Sequence, residues 1–332
     1  MDEYFRNNIL LTFSDFDGKS DIGIYESKNS RKIIPVELLD IINNETKVIA
    51  RNLMLWIQVN DIDKIYNYKT NTGVLNHLTL RHNENNEFML EFYFHEYDEI
   101  VINRLKYWNI EKFKIVSMYY QIEDKNKNNF RGNYKLLSGN PYLYYNLYGK
   151  KIGIKAGSFF QTNNSVLSVM YDDVIKQFNK NKDFIFLDLY CGVGIMSILI
   201  AEYYYKCYGI EINENAIFVA RHNLDINKIE NCTYICSSVE DIINDNTVNM
   251  TSNEDRNIII FINPPRSGLY KSVIDKLNLL KLTYRVKQII YLSCCQKTLE
   301  RDLKMLDYKS KIIKVYNMFP KTDHKEYLVE LI

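Results

Sequence analysis

Two adjacent thiols, Cys294 and Cys295, stand where a β-like run, Tyr291-Leu292-Ser293, gives way to a helical one beginning near Gln296. The first turn of a helix lowers a thiol's pKa and favours the thiolate, the form that attacks electrophiles. Further on, Met318-Phe319-Pro320-Lys321-Thr322-Asp323-His324-Lys325-Glu326 offers an imidazole, His324, and a carboxylate, Glu326, in one turn before a β-like run. Either group can take or give a proton. Asn263-Pro264-Pro265-Arg266-Ser267-Gly268 follows an apolar strand. Its paired prolines fix φ and remove two donors, which holds Asn263 at the strand's carboxyl edge. The Asn263 amide can both donate to and accept from the edge of a base. In Leu187-Asp188-Leu189-Tyr190-Cys191-Gly192-Val193-Gly194 a strand runs into a Gly-x-Gly turn and then a helix. Glycines such as Gly192 and Gly194 let a backbone approach a ligand closely. Ser197 stands where a third glycine would complete a dinucleotide fingerprint. The next strand ends in Gly209-Ile210-Glu211, with Glu211 placed 23 residues after Asp188. An acid there bonds the two hydroxyls of a ribose. That feature is common to nicotinamide and S-adenosylmethionine sites and does not choose between them. Ser237-Ser238-Val239-Glu240-Asp241 follows a third strand and offers acids and hydroxyls to an adenine amino group. Each feature has a plainer alternative: buried inert thiols, a solvated turn, a stiff exit from a strand, an exposed acid.

Such groups must be carried by a scaffold, and the rhythm of the chain predicts one. Strands are expected at Phe184–Leu189, Lys206–Ile210, Cys232–Cys236, Asn257–Ile262 and Gln288–Ser293, with amphipathic helices between them. That alternation predicts a parallel doubly wound sheet. Lys311–Met318 and Glu326–Ile332 add two β-like runs joined by a turn around Pro320. Before this, Glu87–Phe94 and Lys114–Tyr120 read as strands and Asp124–Asn129 as a polar loop. An α+β domain is expected over residues 1–156 and the α/β domain over 157–332.

Composition narrows the class. The 332 residues are 46% hydrophobic and 25% charged, with a net charge of only +1, so any nucleic-acid surface must be local. No apolar run reaches the ~20 residues that span a bilayer. The N-terminus lacks the layout of a signal peptide, so a cytoplasmic location is expected, where disulfides are rare. All six cysteines lie at Cys191 or beyond, and no two pairs show metal-ligand spacing. Cys232 and Cys236 read as small buried hydrophobes. From Arg104 to Lys155 eleven basic residues face three acids, a local balance of +8, with Tyr119, Tyr120, Phe130 and Tyr134 interleaved. Phosphate contact and base stacking need that composition, although a solvated lysine-rich face shares it.

Taken together, these motifs resemble the RNA uracil-5-methyltransferase family. The matching pieces are Ser158-Phe159-Phe160-Gln161-Thr162-Asn163, the Asp188–Gly194 run, Gly209-Ile210-Glu211, the Asn263–Gly268 run, and Ser293-Cys294 with Thr298-Leu299 and Arg301-Asp302-Leu303. Met318-Phe319-Pro320 with Thr322, His324 and Glu326 completes the set. They occur in the family's order, and weaker similarity reaches back through Gly73–His77 to Arg81. The resemblance implies an α/β fold: a Rossmann-like class I methyltransferase domain with an N-terminal α+β RNA-binding domain. It implies S-adenosylmethionine as cofactor and RNA as substrate, with forms closer to the ribosomal-RNA branch than to the transfer-RNA branch. Residue by residue, Cys294 matches the nucleophile that adds to C6 of uracil, and Glu326 the base that takes the C5 proton. Gln161, Tyr190, Gly192, Gly194, Glu211 and Asn263 fall on cofactor positions. Phe159, Asn263 and His324 fall on the substrate side.

The sequence also departs from the family. Asn263 replaces the usual Asp, and Cys295-Gln296 the usual Asn-Pro after the nucleophile. No N-terminal RNA-binding barrel is expected, and no cysteine precedes Cys191 to match those of an iron–sulfur centre, so no metal or cluster is expected. A catalytically weak RNA-binding relative, and an amino-group methyltransferase using Asn-Pro-Pro, are the rival readings. Arg266 after the prolines, and a thiol that amino methylation does not need, speak against the second.

Overall fold

Alternation of apolar and polar side chains in runs such as Leu78-Thr79-Leu80-Arg81 shapes the first sheet. The computed structural model describes the chain except residues 1–4, 17–18, 28–29, 31, 61, 63, 109–110, 124–132, 243–255, 283–284, 319, 321 and 323. The Asp124–Asn129 loop, with Phe130 and Arg131, therefore lies outside the described residues. The chain folds as two compact units, Met1–Tyr145 with Ile154–Asn164, and Asn146–Gly153 with Ser165–Ile332.

In the first unit the strands are β1 (Asn8–Phe16), β2 (Lys19–Tyr25), β3 (Ile33–Pro35), β4 (Leu75–His82), β5 (Phe88–Phe94), β6 (Ile115–Ile122) and β7 (Lys135–Gly139). They form one sheet in the order β3-β2-β1-β4-β5-β6-β7, in which only β5 and β6 run parallel. One face carries Leu11, Leu78, Leu80, Leu90, Phe92 and Met118 into a core shared with Ile49, Leu53 and Ile57 of α1 (Asn44–Val59) and Val101 of α2 (Glu99–Lys106). Asn43 caps α1 by accepting from Thr46 N at 2.9 Å, and Asp98 caps α2 from Val101 N at 3.0 Å. The other face is polar: His77, Thr79 and Arg81 on β4 stand beside Glu91 and Tyr93 on β5, because residues two apart share a face. The strands expected at Glu87–Phe94 and Lys114–Tyr120 are present within a residue or two; Lys114 itself drops out, since its φ of 49° leaves the extended region.

Residues 157–164 belong to this first unit, whereas the second domain is expected from sequence to start at 157. Asn7 is the physical cause. Its N donates to Thr162 O at 2.8 Å and its Nδ2 to Gln161 O at 3.1 Å, while Phe160 lies against Tyr145 with ring centroids 4.3 Å apart.

In the chain, β8 (Leu143–Leu147) and β9 (Lys150–Ile154) pair as a hairpin. The second unit then follows the predicted alternation. It holds α3 (Asn164–Gln177), β10 (Ile185–Leu189), α4 (Ile195–Ile200), β11 (Lys206–Glu211), α5 (Glu214–Asn227), β12 (Cys232–Cys236), β13 (Ile258–Ile262), α6 (Lys271–Leu282), β14 (Val286–Ser293) and α7 (Gln296–Met305). Two further strands, β15 (Ser310–Tyr316) and β16 (Glu326–Leu331), close it. The order β12-β11-β10-β13-β14-β16-β15 is parallel through β14 and antiparallel at β16 and β15. This is a Rossmann-like sheet, and its strands β10 and β13 are near-continuous apolar runs because both faces are covered. Cys232 is buried as expected, but Cys236 is exposed, since it ends its strand at the sheet's rim. Among the described residues no helix is long and apolar enough to cross a membrane. Among them, too, no group of three His, Cys, Asp or Glu could hold a metal ion.

Candidate active site

Five parallel strands end on one edge, and the chemistry-bearing residues stand just past those ends. Tyr190 follows β10, Glu211 ends β11, Glu240 follows β12, Asn263 follows β13 and Cys294 follows β14. The chain order reverses between β10 and β13, the place in such sheets where a crevice opens for a ligand. β16 runs the opposite way, so its first residue, Glu326, begins at the same edge.

The glycine turn is built from its ends. Asp188, at 1% exposure, accepts from Ser197 N at 3.1 Å and from Ser197 Oγ at 2.8 Å, so Ser197 ties the start of α4 to β10. Burial pushes the Asp188 carboxyl up to about 7 against those two bonds. Tyr190 takes a left-handed φ of 62°. The two glycines differ in purpose. A Cβ on Gly194 would lie 2.0 Å from Tyr234 Oη, so that glycine is required by packing. Gly192, with φ of 54°, faces open space, and its N donates to Glu211 Oε2 at 3.2 Å. Glu211 Oε1 accepts from Asn213 N at 2.9 Å, which fixes the carboxylate beside the turn. Two buried polar atoms nearby lack a hydrogen-bond partner among the described residues, Tyr190 Oη and Glu240 Oε1. A cradle that a side chain would fill, a fixed acid and two orphaned polar atoms suit a nucleoside with ribose hydroxyls and an amino group.

Cys294 and Glu326 meet through strand register. The last paired residues of β14 and β16 are Ser293 and Tyr327. Cys294 and Glu326 come next on each strand, and directly opposed residues of an antiparallel pair have Cα atoms about 4.5–5.5 Å apart. Glu326 is 4% exposed and its Oε2 has no partner among the described residues. Burial pushes its carboxyl up to about 7, while the Arg266 guanidinium pulls the other way. The Cys294 thiol is held above its ordinary value by burial and then by Glu326, again opposed by Arg266. The expected lowering by a helix end falls on the neighbour. Cys295 is the N-cap of α7, and hydrogen bonding from Thr298 draws its thiol below the ordinary value.

Arg266, Thr298, Arg301 and Asp302 have no role that sequence reasoning could assign. The structure makes them a bracket between the proline loop and α7. Thr298 Oγ1 donates to Arg266 O at 3.2 Å, and Arg301 Nη2 to Ser267 O at 3.0 Å and Leu269 O at 2.9 Å. Asp302, fully buried, accepts from Leu269 N and Tyr291 Oη, each at 2.8 Å. An acid between Leu299 and Leu303, on the apolar side of a helix, was the available signal.

Four further predicted residues complete the survey. Asn263 is half-buried, its N donating to Leu189 O at 3.3 Å. His324 is exposed, its N donating to Thr322 Oγ1 at 3.3 Å. Gln161, 7% exposed, and Phe159, 75% exposed, belong to the first unit. Phe159 lines a cavity of about 440 Å³ with Arg6, Asn8, Arg81, Glu91 and Tyr134. Among its wall atoms, Arg81 Nε and Nη1, Asn8 Oδ1 and Glu91 Oε1 are buried without a hydrogen-bond partner among the described residues. Of the aromatics in the basic run, Tyr119 is buried, its hydroxyl donating to Pro141 O at 2.8 Å, so it is not a stacking surface.

The profile of the tRNA (uracil-5-)-methyltransferase family matches residues 142–332. An uncharacterized RNA methyltransferase of Fusobacterium nucleatum is 30% identical over 332 residues, covering 97% of this chain and 68% of the relative. Another, from Oceanobacillus iheyensis, is 28% identical over 99% of this chain and 71% of its own length. The crystal structure of Pyrococcus abyssi tRNA (uracil-54, C5)-methyltransferase with S-adenosyl-L-homocysteine superposes with a TM-score of 0.79 at 25% identity, over 99% of this chain and 76% of the other. The chain therefore belongs to the tRNA (uracil-5-)-methyltransferase family.

Proposed function

We propose that the chain transfers a methyl group from S-adenosylmethionine to C5 of a uridine in RNA, with Cys294 as nucleophile and Glu326 as proton acceptor. The observation that carries this is the register: a thiol and a buried carboxyl stand one residue past the last pair of β14 and β16. Uracil C5 is a poor nucleophile on its own. The Cys294 thiolate adds to C6, forming an S–C6 bond and moving electron density to C5 as an enolate-like carbon. Bound S-adenosylmethionine supplies an electrophilic methyl group to that carbon. The Glu326 carboxylate then takes the C5 proton, the C5–C6 double bond re-forms, and the S–C6 bond breaks to release the Cys294 thiolate. With its carboxyl pushed up to about 7, Glu326 is a base near neutral pH yet gives its proton away readily. Arg266 acts on both groups and favours their charged forms.

The cofactor side rests on Tyr190, Gly192, Glu211 and Glu240, whose geometry suits the ribose and adenine of that cofactor. In the first unit, the Arg81–Phe159 cavity offers guanidinium donors and an exposed ring, the pair that binds a nucleotide's phosphate and base. A base inside folded RNA must be extruded to reach a half-buried thiol at a strand end.

Ribosomal RNA is the favoured substrate, from the Phe159-Phe160-Gln161, Tyr190-Cys191-Gly192 and Met318-Phe319-Pro320 forms. A transfer-RNA uridine is the second reading, favoured by the likeness to the Pyrococcus abyssi enzyme. The test is incubation of the protein with labelled S-adenosylmethionine and unmodified 23S ribosomal RNA or transfer RNA, followed by mapping of 5-methyluridine. Label in either RNA that survives a Cys294→Ala substitution overturns the thiol mechanism, and label in neither overturns the activity.

A further inference from the structure

We propose that Gln296 is a positioning residue for proton removal: through Tyr327 it sets the spacing between Glu326 and Cys294. This rests on the roles given above to Cys294 and Glu326.

Gln296 is the first residue of α7, and both ends of its amide are engaged. Its Oε1 accepts from the Tyr327 hydroxyl at 2.9 Å, and its Nε2 donates to Glu300 Oε1 at 2.8 Å. A carbonyl oxygen only accepts and an amide nitrogen only donates, so the pairing defines one orientation of the side chain. Tyr327 is 9% exposed and packed in the sheet's core, and its backbone is the ladder partner of Ser293. The result is a short closed circuit: Ser293, Cys294, Cys295, Gln296, then across the hydrogen bond to Tyr327 and back through the ladder to Ser293. Cys294 lies inside that circuit, and Glu326 is the residue next to Tyr327.

The Cys294 side of the circuit is held by other means as well. Cys295 N donates to Ser293 Oγ at 3.4 Å, and the Thr298 hydroxyl shares its one proton between Cys295 O and Arg266 O, each at 3.2 Å. On the Glu326 side, the Tyr327–Gln296 bond is what reaches beyond the ladders to the helix. Loss of that bond therefore loosens the base and leaves the nucleophile seated. A proline at position 296 would fix the backbone there but has no side chain that reaches Tyr327. In this chain the glutamine supplies restraint through its side chain instead.

The test separates the two chemical steps. RNA carrying 5-fluorouridine reports addition and methyl transfer, because fluorine in place of the C5 proton stops the reaction at the covalent adduct. Ordinary uridine RNA reports the whole cycle, including proton removal. For Gln296→Ala and Gln296→Met, trapping at saturating S-adenosylmethionine is expected within about twofold of wild type, while turnover on uridine RNA falls about tenfold and the uridine adduct accumulates. Trapping doubles as the control for folding. Tyr327→Phe is expected to match Gln296→Ala, and the double variant to be no slower than either, since both remove one bond. The lower limb of the pH–rate profile should move to lower pH as Glu326 becomes better hydrated. The groups acting on Glu326 are Arg266 from the loop after β13, Cys294 just past the end of β14 and Tyr171 from α3, and none is altered by these substitutions. Equal losses in trapping and turnover, additive effects of the two substitutions, or unchanged turnover would overturn the proposal. Failure of the wild type to form an adduct would instead overturn the assignment of Cys294.

Discussion

Replacing Glu326 by glutamine should abolish methylation and yet stabilise the fold at alkaline pH. Burial raises the Glu326 carboxyl from 4.5 to about 7. A folded-state value above the unfolded one means that the native protein binds the extra proton between those two limits. Stability is therefore lost as pH rises through that window, and the cost is complete above pH 7. At 1.36 kcal/mol per unit the full cost is about 3 kcal/mol, of which roughly 0.8 is already present at pH 5. The amide introduced by Glu326→Gln carries no charge, so its advantage over the carboxylate should grow by about 2.5 kcal/mol between pH 5 and pH 8. A buried amide that finds no partner costs ~1 kcal/mol or more at either pH, which offsets the absolute gain but cancels in the difference. For a unit of this size the change corresponds to a Tm difference on the order of 5–10 °C between the two pH values. Thermal unfolding of wild type and Glu326→Gln at pH 5, 6, 7 and 8, followed by circular dichroism and scanning calorimetry, measures it. A Tm difference between the two proteins that does not change with pH would refute a Glu326 that titrates in the folded state near neutrality.

Four other outcomes follow from the same geometry. Cys294→Ser should lose all adduct with 5-fluorouridine RNA, whereas Cys295→Ser, which alters an N-cap and not the attacking thiol, should retain trapping within about tenfold on denaturing gels. Gly194→Ala should cost ~3 kcal/mol or more in chemical denaturation, because its Cβ collides with Tyr234 and its φ is left-handed. Gly192→Ala should cost only ~1 kcal/mol from φ, yet weaken S-adenosylhomocysteine binding at least tenfold by calorimetry. Asp302→Ala, which strands the Leu269 N–H and the Tyr291 hydroxyl in the core, should lower stability by ~3–5 kcal/mol in urea unfolding.

The second unit was legible because its strands are nearly continuous apolar runs between amphipathic helices. Cys232–Cys236 is a strand from its first residue to its last as read from sequence. The first unit was less so. Its short strands at Ile33–Pro35 and Lys135–Gly139 hold too few alternations to stand out, and they exist because longer neighbours pair with them. The meeting of Cys294 and Glu326 could not be read from spacing. β16 pairs with β14 across the sheet while β15, which precedes it in the chain, takes the edge. The thiol chemistry turned on one residue: a sequence pattern does not say whether Cys294 or Cys295 caps α7, and only the cap feels the helix end. The part played by Gln296 was hidden for the same reason, since a side chain at a helix start acquires meaning from whichever strand lies opposite.

The pairing of β14 with β16 has a consequence for how the chain tolerates insertions and deletions. Side chains alternate along a strand with period two, so a single residue added or removed inside Glu326–Leu331 would turn Glu326 to the opposite face of the sheet. The same change between Tyr316 and Glu326 alters only the length of a connection and leaves the register of both strands intact. Length variation among related sequences should therefore gather between Tyr316 and Glu326 and be purged inside the strands, and a library of one-residue insertions scanned across residues 317–331 would show a sharp step in activity at that carboxylate.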